Sequence, residues 1–128
     1  MRKTFPFEKL EVWQEARKLV NSVYECSRSI PGHEQFGLTS QMRRAAISVA
    51  NNLAEGSGRS GLKDQAHFSS QAHGSLMETA CDLIIATDLG FVPEPTTDPI
   101  LDQAYHLGVR IHNLRESQLR RANGSSSL

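Results

Sequence analysis

The side chains that could do chemistry here are five histidines, two cysteines and fourteen carboxylates. The first chemistry to test is metal binding. A carboxylate-bridged di-iron centre needs a Glu-x-x-His pair on each of two helices, so that both ligands project inward one turn apart. No Glu-x-x-His occurs in the chain. His67 and His73 are six residues apart, as are His106 and His112, which puts each pair on different faces of a helix. His112 and Glu116 share a face and read as a solvated pair, and His33 stands alone beside a Pro-Gly turn. Cys26 and Cys81 have no Cys-x-x-Cys spacing and fall on apolar stripes, so both are expected to be small buried apolar residues in a reducing compartment.

Nucleophilic catalysis lacks its parts as well. There is no Gly-x-Ser-x-Gly elbow, and no acid/base pair stands in a recognisable motif. The glycine-rich run Gly56-Ser57-Gly58-Arg59-Ser60-Gly61 could expose backbone N–H groups to an anion. It lacks the Gly-Lys-Ser/Thr ending of a nucleotide loop, so it reads as a helix-to-helix turn with Arg59 and Lys63 free to touch phosphate. Arg43 and Arg44 lie early in a helix, where the dipole disfavours cations, so an acidic side chain or a phosphate would explain them. The expectation is a non-enzyme with no metal or organic cofactor, and Arg43, Arg44, Arg59 and Lys63 are its candidate nucleic-acid contacts.

The elements that must position these residues are helices. Val12, Ala16, Leu19, Val23, Cys26 and Ile30 follow alternating spacings of four and three, predicting a first helix over 8–29 that Pro31-Gly32 ends. Met42, Ala45, Ala46, Val49 and Leu53 predict a second over 40–55, with Thr39 or Ser40 as its cap and Gly56 and Gly58 at its end. Ala45, Ala46, Ala50 and Ala54 would let a neighbour approach closely. Phe68, Ala72, Leu76, Ala80 and Leu83 predict a third over 62–89, with Gly74 inside it. Asp98-Pro99 reads as the start of a fourth, whose seam is Ile100, Ala104, Leu107, Ile111 and Leu114. These elements predict an all-α fold, an antiparallel up-down four-helix bundle, over residues 1–122, followed by a disordered polar tail, 123–128.

Two helices carry more apolar surface than one seam needs. The first adds Leu10, Trp13, Val20 and Tyr24; the third adds Met77, Cys81, Ile84 and Ile85. Leu10, Trp13, Val20, Tyr24, Met77 and Ile84 are therefore the candidate subunit interface of a homo-oligomer, although large aromatics beside a seam also serve as core-edge residues.

The chain has 128 residues, of which 38% are hydrophobic and 22% charged, ordinary values for one globular domain. No apolar run approaches membrane-spanning length, and the start lacks the apolar core of a signal peptide, so a cytoplasmic protein with no membrane partner is expected. Net charge is zero but unevenly placed: 10 basic and 7 acidic residues in 1–64, none and 6 in 65–109, 4 and 1 in 110–128. A protein that coats nucleic acid by bulk charge would be basic overall.

The run Phe36-Gly37-Leu38-Thr39-Ser40-Gln41, the pair Arg43-Arg44 and the run Asn52-Leu53-Ala54-Glu55-Gly56-Ser57-Gly58-Arg59 resemble the four-helix bundle proteins encoded in 23S rRNA intervening sequences. The likeness extends back to Phe7, Leu10, Val12 and Trp13 and on through Gly74, Ser75, Leu76 and Glu78 to Leu89-Gly90-Phe91. The resemblance implies the same bundle and a homopentameric ring. It also implies kinship with an accessory protein of diversity-generating retroelements, which binds a reverse transcriptase and nucleic acid through basic surfaces. In place of that family's Lys-Glu-Phe run and following basic residue, this chain has Lys63-Asp64-Gln65-Ala66-His67. Two functions are thus expected: an oligomeric scaffold binding itself or protein partners, or alternatively a nucleic-acid-binding accessory factor for structured RNA or a reverse transcriptase.

Overall fold

Apolar stripes at helical spacing are stable only when they face one another, and the computed structural model, which describes Met1–Ser126, buries all four. The long helices are α1 (Glu11–Ser27), α2 (Ser40–Ser57), α3 (Leu62–Asp88) and α4 (Glu94–Ser126). No strand occurs among the described residues. The core stacks Ala16, Leu19, Val23 and Cys26 of α1 on Met42, Ala46, Val49 and Leu53 of α2. Ala72, Leu76, Leu83 and Ala86 of α3 and Ile100, Ala104, Leu107 and Ile111 of α4 complete it.

Side-chain pairings fix the register. Gln41 bonds Asp82 and Ser48 bonds Ser75 between α2 and α3. Ser69 bonds Gln118 and Thr87 bonds Thr97 between α3 and α4. Arg110 pairs with Glu15 and Ser22 with Gln103 between α4 and α1. Rising numbers on one helix meet falling numbers on its neighbour, so these neighbours run antiparallel. α1 packs on α2 and α4, and so does α3, which places α1 and α3 on a diagonal.

The ends of the helices differ from the expected ones for local reasons. The first helix is interrupted at Leu10, whose extended backbone separates a 3-10 turn over Pro6–Lys9 from α1. That turn is clasped by Glu8, which bonds the Arg2 guanidinium and, at 2.7 Å, the Phe5 N–H; the Arg2 bond leads in holding its carboxyl down to about 2. Neither Thr39 nor Ser40 caps α2. A single π-type turn over Gln35–Thr39 leads into the helix, and the Glu34 carboxylate accepts from the Leu38 N–H instead. α3 closes on Gly90, at φ 77°, with Phe91 N–H bonding Ala86 O and Gly90 N–H bonding Thr87 O, the double bond of a Schellman turn.

α4 begins at Glu94, not at Pro99: Pro95 stands in its first turn, and Pro99, inside the helix, forfeits the bond that an N–H would make to the Pro95 carbonyl. At its other end α4 runs to Ser126, into the stretch 123–128 expected to be a polar tail. Residues 127–128 of that tail lie outside the described residues.

Two glycines inside helices behave oppositely. Gly56 does not end α2 but is buried within it, and a Cβ there would stand 2.8 Å from the Phe68 Cβ of α3. Gly74 has nothing within 4 Å of such an atom, so its helix cost of about 1 kcal/mol relative to Ala is simply tolerated. Gly74→Ala should therefore stabilise the protein by about 1 kcal/mol, while Gly56→Ala should destabilise it by about 1–3 kcal/mol in urea unfolding. In a Phe68→Gly background, which removes the Cβ that a side chain at 56 would meet, the Gly56→Ala penalty should largely disappear; a penalty unchanged there would mean that Phe68 does not set the helix spacing.

Candidate functional site

The four candidate cations fall into two pairs. Arg43 reaches from α2 to the end of α1, where its Nε donates to Ser27 Oγ at 2.8 Å and a terminal nitrogen to the Tyr24 carbonyl at 3.4 Å. Its guanidinium also lies 4.5 Å from the Tyr24 ring centroid. A cation disfavoured at the start of α2 thus meets the negative end of α1, and the partner that its position demands is internal. Arg59 is held likewise: Glu55 at 3.1 Å, Asp64 at 3.8 Å and the Phe68 ring at 4.8 Å surround it. Arg44 and Lys63 are exposed and make no ion pair among the described residues. Arg44 lines an open polar groove with Phe36, Ser48, Ser75 and Glu78, whereas Lys63 lies at the far end of the bundle at the start of α3.

The candidate interface residues also divide. Trp13, Val20 and Tyr24 are half-buried on the α1/α2 side. Trp13 meets the Phe7 ring edge-on at 5.0 Å and carries Arg17 above it at 5.5 Å. Leu10, 38% exposed, sits at the break before α1. Met77 and Ile84 lie on the other side of the molecule, 45% and 49% exposed on α3. There Met77 joins Tyr105 and Val109 of α4, which are 71% and 46% exposed, along a shallow groove floored by Gly108. Tyr105 and Val109 were detectable as an i,i+4 apolar pair off the α4 seam.

Cys81 is exposed, contrary to the expectation that both cysteines are buried, because the second stripe of α3 to which it belongs faces outward and no helix among the described residues covers it. Cys26 is buried, and desolvation pushes its thiol pKa up, which leaves it an inert packing residue.

Phe36 and Asp82 carry signals that periodicity misses. Phe36 stands 92% exposed on the π-type turn before α2. Asp82 is buried on α3; Oδ1 accepts from Gln41 Nε2 at 3.2 Å, and Oδ2 has no partner among the described residues. Desolvation, aided by the nearby Glu78 charge, raises its pKa against the opposing Gln41 bond. No group of three or more His, Cys, Asp or Glu that could hold a metal gathers among the described residues, and no helix there is long and apolar enough to cross a membrane.

This arrangement, a four-helix bundle whose Phe36–Arg59 motif forms the entry, body and exit of α2, agrees with a family-wide pattern: residues 8–113 match the model of the 23S rRNA-intervening sequence protein. The chain belongs to that family. No curated protein matches it. Within this intervening-sequence protein, Asp82 supplies a pH-dependent test. Its folded pKa lies above the unfolded one, so the ionised carboxylate opposes folding at neutral pH and protonation removes that penalty as pH falls toward the ordinary carboxylate range near about 4. Asp82→Asn should raise unfolding stability at pH 7 by about 1 kcal/mol, with the gain shrinking on acidification. A gain that is the same at both pH values would mean that the charge of Asp82 is not what matters.

Proposed function

We propose that the protein is a non-enzymatic scaffold that works by joining its own copies head to tail into a closed ring. The observation that carries this reading is the strip of Met77, Ile84, Tyr105 and Val109, all exposed, on adjoining helices of one side. A second copy suits it because the opposite side differs in the complementary way. On the α1/α2 side Arg17 and Arg43 stand over Trp13 and Tyr24. The stretch 65–109, which holds most of α3 and the start of α4, carries six acids and no Lys or Arg. Sides that are complementary to each other and not to themselves form heterologous contacts, and such contacts give a ring when the rotation between copies closes and an open filament when it does not. Five of the six candidate interface residues, Trp13, Val20, Tyr24, Met77 and Ile84, lie on one or other of those sides, which supports a head-to-tail contact; Leu10 sits at the break before α1. A ring of five follows from family resemblance.

Binding of nucleic acid is the weaker reading. With Arg43 and Arg59 engaged internally, Arg44 and Lys63 remain, and two phosphate contacts give a salt slope of only about −1.8 per subunit on duplex DNA. The stretch with six acids repels phosphate on the same molecule.

Light scattering at micromolar concentration should return a closed multiple of 14.2 kDa, and the Met77→Glu, Val109→Glu pair should reduce it to a monomer with unchanged helix content. A wild-type monomer would overturn the proposal. Salt-resistant binding of structured RNA, lost in an Arg44→Ala, Lys63→Ala variant, would replace it with the accessory-factor reading.

A further inference from the structure

Two of the five histidines differ from the rest. His33, His67 and His106 each lie edge-on to an aromatic ring, that of Phe91, Phe68 and Tyr105 respectively. The rings of His73 and His112 make no hydrogen bond, ion pair or aromatic contact among the described residues. Antiparallel packing of α3 on α4 sets these two rings opposite each other. Arg115 Nε donates to Ser70 Oγ at 2.6 Å, and Met77 Cε lies 3.7 Å from the point where a Cβ on Gly108 would stand. From Ser70 through His73 to Met77, α3 advances by three residues and then four; from Arg115 through His112 to Gly108, α4 steps back by three and then four. Each series follows one helix face, so His73 and His112 form the rung between those two contacts. Both histidines accordingly line one small cavity of about 180 Å³ with Ser70, Ile111 and Arg115, and both line the groove over Gly108. His73 Nε2 lies 3.9 Å from the Cβ position of Gly108, so its ring reaches α4 one turn from His112, in space that the glycine leaves open.

Two unpartnered imidazoles on adjoining helices share the chemistry of late first-row metals, which neutral imidazole nitrogen suits. Either ring nitrogen can ligate, so the pairing does not depend on which way a ring is turned. An anion is served less well, because the one guanidinium in the cavity wall is engaged: Arg115 gives Nε to Ser70 and a terminal nitrogen to Glu116 at 2.9 Å. The Glu116 carboxylate also offsets the Arg115 charge beside the pair. We propose that His73 and His112 together bind a divalent metal of the nickel, copper and zinc class, with water in the remaining positions. Two protein ligands are fewer than the clusters of three or more that are absent among the described residues, so the metal here is an exchangeable ion. The inference does not rest on ring formation, since both ligands belong to one chain. The pair does border the α3/α4 strip, sharing its groove with Met77, Tyr105 and Val109.

Ni²⁺ is the probe, because it seeks imidazole and leaves the exposed Cys81 thiol less involved than Zn²⁺ would, and Mg²⁺, which prefers oxygen, is the control. With the full-length protein free of any histidine tag, at neutral pH, Ni²⁺ should give a saturable heat and raise the melting temperature, and Mg²⁺ should do neither. His73→Asn and His112→Asn should each weaken Ni²⁺ binding about tenfold or more, at least what loss of an outer-shell partner costs. The double variant should add little to either single one, since a chelate is lost with either ligand. His67→Asn and His106→Asn should bind as the wild type does. Helix content and mass in solution, measured on every variant, separate loss of a ligand from loss of fold or of assembly. In the wild type itself, paramagnetic Ni²⁺ should broaden the imidazole proton signals of two histidines before those of the other three. The proposal is overturned if the wild type shows no saturable Ni²⁺ binding, if only one of His73→Asn and His112→Asn weakens it, if the His67 and His106 variants lose as much, or if all five imidazoles broaden alike. Stabilisation by inorganic phosphate instead of Ni²⁺, lost in both His73→Asn and His112→Asn, would replace the metal with an anion.

Discussion

The contact on which the rest of the bundle depends is the close approach of α2 to α3 where Gly56 meets Phe68. A side chain at Gly56 would collide with Phe68, so the absence of one sets how near the two axes lie at that end. Farther along, the same pair is joined by Ser48 to Ser75 at 2.9 Å and by Gln41 to Asp82. Small and polar residues hold this helix pair together, and the large aliphatic side chains are left to fill the space between it and the other two helices. Once α3 is placed against α2, its Ser69, Leu76 and Thr87 fix the register of α4 through Gln118, Gly108 and Thr97.

That ordering explains why the two sides of the molecule differ. The α1/α2 side is closed by aromatic rings with guanidinium groups laid over them, so its apolar surface is covered from within the chain. The α3/α4 side has no such cover. Gly108 brings these helices close enough that Met77 and Tyr105 stand at the edges of their groove. An apolar strip beside a surface rich in carboxylates is in excess of what a solitary bundle needs.

The four seams were legible in the sequence because a period between three and four is imposed by the helix itself and survives any rearrangement of neighbours. The caps were less so. Glu34 takes the role expected of Thr39 or Ser40 because the π-type turn brings it to the Leu38 N–H, a relation of four residues that no capping pattern contains. Pro99 reads as a helix start, yet the helix accepts it inside at the cost of one bond, with Thr97 and Ile100 on either side of it packed into the bundle. For the candidate site, exposure of Met77 and Ile84 followed from counting stripes, whereas the capture of Arg43 by α1 did not. That capture requires two helices to be side by side, and sequence spacing within one helix carries no such information.

The two cysteines were expected to be alike and are not, and this gives the protein a chemical asymmetry. Cys26 is shielded and holds its proton tightly, while Cys81 lies open to solvent on the second stripe of α3. A thiol reagent of ordinary size therefore has one site to choose under native conditions. The stretch 65–109 offers it no lysine to compete with. A fluorophore or spin label placed on Cys81 without any mutation sits within two turns of Met77 and Ile84, so the wild-type chain carries its own address for measuring distances between copies.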